Sequence, residues 1–340
     1  MSDKDTESAD AFWQQARKAR LATAGRSNSD STELVRRRRD GDRAITMPPD
    51  QSHPKKGTAR FERYVGLDWS GAKDSRPPIR VCTATLDSPP KPEDPPTKRA
   101  KNWSPDEVKS WLLHALTPDA PRTICGFDFG FGYPIGSEVA VFHSHSWRDL
   151  LTGVRERLKS SGAAKALASD LNDEFCKANG CQGPFFNQSE APSAHPYRAG
   201  GFGYYRLTEL FIPEAKSQWY VGPGAQVGQS TITGLSMLAC LLEQRDELGL
   251  EFVVWPHESQ RLPSNGHVLV ETYPSLMGRK RKAKNQHAAD AKAISAWLKR
   301  TDESGELTRY LDLPEVVGKQ GLDFEQVRHR VGWEGWIIGV

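Results

Sequence analysis

The chain has 340 residues, 37% of them hydrophobic and ten of them Trp, which is enough apolar material to fill one large core or two modest ones. No run approaches the roughly 18 consecutive apolar residues of a membrane helix, and Asp3, Asp5, Glu7 and Asp10 argue against a signal or transit peptide, so no membrane partner and a cytoplasmic location are expected. Five scattered cysteines without C-x-x-C spacing indicate neither a disulfide framework nor a zinc site.

The net charge of +3 is unevenly placed. Residues 1–60 hold 13 of the 46 basic and 9 of the 43 acidic residues, so residues 61–340 carry 33 against 34 and are near neutral. The first 60 residues, rich in Ser, Asp and Arg, are expected to be a disordered basic tail with one short helix around Phe12–Ala24. Arg36–Arg39 reads either as a mobile arm that touches phosphate or as a solvated charge run.

From residue 61 the pattern is of strands and helices. "YVGLDW" and "IRVCTATLD" predict two strands of a hairpin with a long turn, followed by a Pro- and Lys-rich linker. In "SPDEVKSWLLHAL", Ser104 as N-cap, Pro105 at the first helical position and Glu107 three residues on predict a helix start. "RTICGFDFGFGYPIG" reads as a buried strand ending in a Gly-rich turn. Residues 146–178 read as helical, and 183–230 as an insertion rather than a separate fold. "STITGLSMLACLLEQRDELG" predicts a helix, "LEFVVWP" and "GHVLVETYP" strands, and "NQHAADAKAISAWLKR" a strong helix. Strands followed by helices after an initial hairpin describe an α/β fold with a sheet of mixed direction.

Three strands end in acid: Asp68, Asp128 and Glu271. Ligands of open α/β sheets gather at the carboxyl ends of strands, so neighbouring strands that run the same way would bring these acids into one crevice. On the last strong helix His287, Asp290, Ile294 and Trp297 follow helical spacing, which puts a carboxylate and an imidazole on the apolar, core-facing stripe. A carboxylate there costs several kcal/mol (about 2–7) unless it is paired or binds a metal. The motifs supply no basic neighbour, and hard oxygen ligands suit Mg²⁺ or Mn²⁺. Elsewhere, Arg206 and Glu209 read as a local pair or a substrate contact, His143 and His145 as surface or cap residues, and Trp333 and Trp336 as packing.

Together, "VGLDWSGA", "GFDFGFGYP", "FVVWPHE", "HVLVETYP", "HAADA" and the terminal "EGWIIGV" resemble a bacterial family of RNase H-like predicted nucleases, and more distantly RuvC-type resolvases. The resemblance spans roughly residues 62–340. It implies an RNase H-like mixed sheet flanked by helices and two-metal hydrolysis of nucleic-acid phosphodiesters, of DNA or RNA. Carried onto this chain, Asp68 would bridge two Mg²⁺ or Mn²⁺ ions and Asp128 and Asp290 would hold one each. Glu271 would be a further ligand or orient water, and His287 would assist proton transfer. Two other readings remain open from the residues: a non-catalytic binding module that keeps the acids for the fold, and a phosphotransferase of the actin and sugar-kinase type.

Overall fold

The computed structural model describes residues 60–71, 77–187, 202–212, 214–223, 227–278 and 283–340. The expected tail, including Phe12–Ala24 and Arg36–Arg39, lies outside the described residues apart from Arg60. Leu210–Ala215 belongs to a separate unit, where the Ala215 amide donates to the Ile212 carbonyl. Everything below concerns the other unit.

That unit is an α/β fold on one six-stranded mixed sheet. The strands are β1 (Arg63–Asp68), β2 (Arg80–Thr85), β3 (Lys91–Glu93), β4 (Thr123–Phe127), β5 (Phe252–Trp255) and β6 (His267–Glu271), in spatial order β3-β2-β1-β4-β6-β5. β1, β2 and β3 pair antiparallel, and β1, β4, β6 and β5 run parallel. Among the described residues its α-helices are α1 (Pro105–Ala115), α2 (Ser137–Ala140), α3 (Trp147–Ser161), α4 (Ala164–Asn179), α5 (Val227–Leu248), α6 (Gln286–Glu303), α7 (Leu307–Tyr310), α8 (Leu313–Lys319) and α9 (Phe324–Glu334).

Most elements form where their local chemistry points. Ser104 and Glu107 make the reciprocal capping box that starts α1, whose apolar stripe buries Val108 and Leu112. The helical stretch after residue 146 is broken at Gly162, whose φ of 71° ends α3 in the left-handed conformation that glycine tolerates best. The linker expected after β2 contains the short strand β3, with Pro92 opposite Cys82. Proline is compatible with that place because β3 is the edge of the sheet, where a missing N–H leaves no inner neighbour unpaired.

Side-chain alternation divides the sheet into two faces. Val65, Leu67, Cys125, Phe127 and Leu269 point into the main apolar core with α1, α3 and α5. Tyr64, Gly66, Asp68, Gly126 and their register partners form the opposite face, which α6 covers.

Helix α6 is pinned along the whole length of β1. Near its end, the buried Asp302 carboxylate accepts hydrogen bonds from the Arg60 and Phe61 amides (both 2.9 Å) and the Tyr64 hydroxyl (2.8 Å). Ser295 Oγ donates to the Tyr64 carbonyl at 2.9 Å, and near the helix start His287 Nδ1 lies 2.5 Å from Asp68 Oδ2. Between these ties the helix backbone comes so close that a Cβ on Gly66 would lie 2.1 Å from the Ala291 carbonyl oxygen, and one on Gly126 would lie 2.6 Å from both Ile294 Cγ2 and Thr272 Cγ2. Gly66 and Gly126 are register partners on adjacent strands. Together they form the flat seat on which α6 rests.

Candidate metal centre

Two four-residue stretches with one plan build the site: Gly66-Leu67-Asp68-Trp69 and Gly126-Phe127-Asp128-Phe129. In each, the glycine two positions before the acid shares its face and lets α6 approach. The aromatic after the acid turns to the other face. Trp69 and Phe129 meet there with ring centroids 5.5 Å apart, and Trp69 Nε1 donates to Thr233 Oγ1 on α5. Phe129 lies over Gly234 of the same helix, where a Cβ would be 2.3 Å from the ring. Gly71 closes the first turn: its amide donates to Ser230 Oγ at 3.2 Å, and a Cβ on it would meet the Gln229 backbone at 2.1 Å. The glycine of the Ser70-Gly71 turn is thus required by close approach to α5.

Asp68 ends β1, and Asp128 follows β4 one residue past the Leu67–Phe127 pair, its amide donating to the Leu67 carbonyl at 3.0 Å. Asp290 arrives on the second turn of α6, with Gln286 Nε2 donating to its Oδ1 at 2.8 Å. The result is a group of three carboxylates, Asp68, Asp128 and Asp290, each offering an oxygen within 4.8 Å of the others. Asp68 and Asp290 are buried and Asp128 is partly exposed.

At such separations each ionised pair repels by about 3–4 kcal/mol at an effective dielectric near 20. Several features soften that cost. The N-terminal end of α6, capped by Asn285 Oδ1 accepting from the Ala288 amide, brings its partial positive charge to the acids. His287 shares its Nδ1 with Asp68, and Arg80 is the register partner of Asp68 on β2. Burial still dominates at Asp68 and pushes its carboxyl up to about 6, against the His287 hydrogen bond and charge and the Arg80 charge, with Asp290 adding to the rise. The His287 imidazole is held above its ordinary value by the same hydrogen bond and the Asp68 charge, against partial burial.

The donor set fits a hard divalent cation. The three donors are carboxylate oxygens within 4.8 Å of one another, with no sulfur among them, the donor chemistry that hard cations take. The group could therefore hold a metal ion.

Glu271 departs from the expected set. β6 pairs with β4 so that Glu271 lies beside Phe127, and by continuation Thr272, not Glu271, lies beside Asp128. A one-residue offset in a strand moves a side chain to the opposite face. There Glu271 accepts from Arg206 Nη2 (2.5 Å), Arg206 Nη1 (2.7 Å) and the Phe131 amide (2.9 Å). The fully buried Arg206 also donates to Glu209 Oε1 at 3.0 Å and to the Glu334 carbonyl at 2.8 Å. The local Arg206–Glu209 pair is therefore present, but within a larger buried network that anchors the loop after Asp128. His143 and His145 are exposed, and Trp333 and Trp336 are buried.

Compared with family models, with curated proteins and with solved structures, the chain matches none. Among the described residues no helix is long and apolar enough to cross a membrane. What the fold and the site define is an α/β protein with a three-carboxylate group at the carboxyl ends of β1 and β4.

Proposed function

We propose that this protein is an RNase H-like nuclease that hydrolyses phosphodiester bonds of DNA or RNA with Mg²⁺ or Mn²⁺ at Asp68, Asp128 and Asp290. The observation that carries the reading is the convergence of three acids from β1, β4 and α6 on one sheet face. The antiparallel β1–β3 ribbon continued by parallel β4, with the last acid on a late helix, supports the RNase H-like part.

Asp68 would be the shared ligand, with Asp128 and Asp290 holding one ion each. Ions bound there would supply an activated water and neutralise the leaving oxygen. Asp68 holds the His287 ring through Nδ1, and the His287 side chain is 46% exposed, so its other nitrogen can exchange a proton with the leaving group or with solvent. Glu271 serves by fixing the Asp128 loop through the Phe131 amide. A sugar-kinase-type phosphotransferase would need a second such domain, and the described residues hold one sheet.

The test is incubation of labelled DNA and RNA substrates with Mn²⁺ or with chelator, using wild type and Asp68→Asn. Cleavage that needs Mn²⁺ and disappears in the variant supports the proposal; equal cleavage by the variant contradicts it.

A further inference from the structure

The near-neutral charge of residues 61–340 leaves open where a polyanion would lie. The distribution around the carboxylates answers this. β2 runs antiparallel to β1, so its first residue, Arg80, stands at the same end of the sheet as Asp68 and on the same face. Arg80 Nη1 donates to the Ile79 carbonyl at 3.0 Å and to Asn102 Oδ1 at 2.5 Å. Among the described residues its Nε and Nη2 have no hydrogen-bond partner. Its charge reaches both Asp68 and His287, where it opposes the net rise of each.

Asn102 belongs to the segment that brings further cations to this edge. β3 ends at Glu93 beside Val81, and the chain returns to the start of β2 through the Ile79–Trp103 bridge, with Trp103 Nε1 donating to the Glu93 carbonyl at 3.1 Å. The intervening loop is therefore held at the carboxylate end of the sheet. It presents Lys98, Arg99 and Lys101, all exposed. With Arg80 these make four cations, against Glu93 and Asp94 on the same stretch.

Resting on the nuclease reading, we propose that the β2–β3 edge is the track for the substrate's phosphodiester backbone: Lys98, Arg99 and Lys101 hold phosphates flanking the cleavage point, and the Nε and Nη2 groups of Arg80 hold the phosphate nearest the carboxylates. A guanidinium fixed at one nitrogen presents its remaining donors as a rigid fork, which matches phosphate oxygens. Asn102 is a positioning residue that fixes that fork. The acids cannot attract a polyanion themselves, so a cationic edge next to them supplies the binding that the site lacks.

The experiment is fluorescence anisotropy of a labelled single-stranded DNA oligonucleotide and its RNA counterpart, with Ca²⁺ in place of Mn²⁺, over a range of salt. Lys98→Ala/Arg99→Ala/Lys101→Ala should weaken binding at least tenfold and flatten the dependence of log Kd on log salt by about 2. Arg80→Gln should flatten it by about 1 and lower Mn²⁺-dependent kcat, whereas Arg80→Lys should keep the salt slope and lose kcat. Lys177→Ala, on α4, is the surface control and should bind as wild type. A triple variant with wild-type affinity and slope overturns the track, even if wild type cleaves with Mn²⁺ and the nuclease reading stands. A triple variant that loses binding, in a protein that never cleaves, supports the track and removes the nuclease reading.

Discussion

Adding one methyl group at Gly66 separates the role of helix seating from the role of the ligands themselves. The new Cβ would lie 2.1 Å from the Ala291 carbonyl oxygen, 2.7 Å from the Ser295 amide nitrogen and 2.9 Å from Ile294 Cβ. A carbon and a carbonyl oxygen settle no closer than about 3.3 Å, so α6 must retreat from the sheet by about 1 Å. Overpacking of this kind costs about 1–3 kcal/mol, partly offset by the about 0.4–1 kcal/mol that alanine contributes by restricting the unfolded chain. Gly66→Ala should therefore lower the Tm by several degrees. The same retreat moves Asp290 and His287 away from Asp68 and Asp128, and metal donor distances tolerate only about 0.2 Å, so Mn²⁺ affinity should fall by about tenfold or more although no ligand has changed. Differential scanning calorimetry and isothermal titration with Mn²⁺ read the two effects. Gly153→Ala in the interior of α3, where a Cβ meets nothing within 4 Å, is the counterpart and should raise stability by about 1 kcal/mol with Mn²⁺ affinity unchanged. A Gly66→Ala protein with wild-type Tm and Mn²⁺ affinity would refute the idea that α6 is seated by this glycine pair.

Two further outcomes follow from the electrostatics. Arg206→Leu leaves Glu209 and Glu271 buried without their cation and should cost about 3–5 kcal/mol, read as a large fall in Tm; adding Glu271→Leu should recover part of it. Because burial raises Asp68 to about 6, the folded state holds more protons than the unfolded state between about pH 4 and 6, so metal-free stability falls as pH rises through that window. His287, raised by Asp68, adds stability that is full below its unfolded value and is lost as pH rises through its folded one, so both groups act with the same sign. Mn²⁺ binds the ionised carboxylates, so the Tm gain from Mn²⁺ should grow from pH 4 to pH 7. Asp68→Asn should be more stable than wild type in chelator, and its Tm should not respond to Mn²⁺. A Mn²⁺ gain independent of pH would contradict this.

The three clustered acids were legible because each sits where local pattern determines direction. Asp68 and Asp128 close apolar strands, and Asp290 lies on the apolar stripe of a helix. Glu271 was misplaced by parity. The chain runs Val270-Glu271-Thr272 at the end of β6, and the position that continues beside Asp128 is Thr272, a fact fixed by the β4–β6 register and not by either strand alone. The doubled pattern of glycine, any residue, aspartate and aromatic in 66–69 and 126–129 carried more than its acids, since its glycines seat α6 and its aromatics meet across the core. No comparable glycine precedes Glu271 by two residues, and that difference was readable. Arg206 escaped as the partner of Glu271 because they are 65 residues apart and the arginine comes from the insertion. β3 escaped because Pro92 and the surrounding prolines read as linker, while an edge position accommodates them.

Anomalous diffraction from crystals grown with Mn²⁺ tests the central claim most directly. The account predicts a Mn²⁺ peak within about 2.0–2.4 Å of carboxylate oxygens of Asp68, Asp128 and Asp290, with Glu271 still paired to Arg206. Saturating Mn²⁺ with no peak there, and the three carboxylates instead neutralised by side chains of this protein, would contradict it.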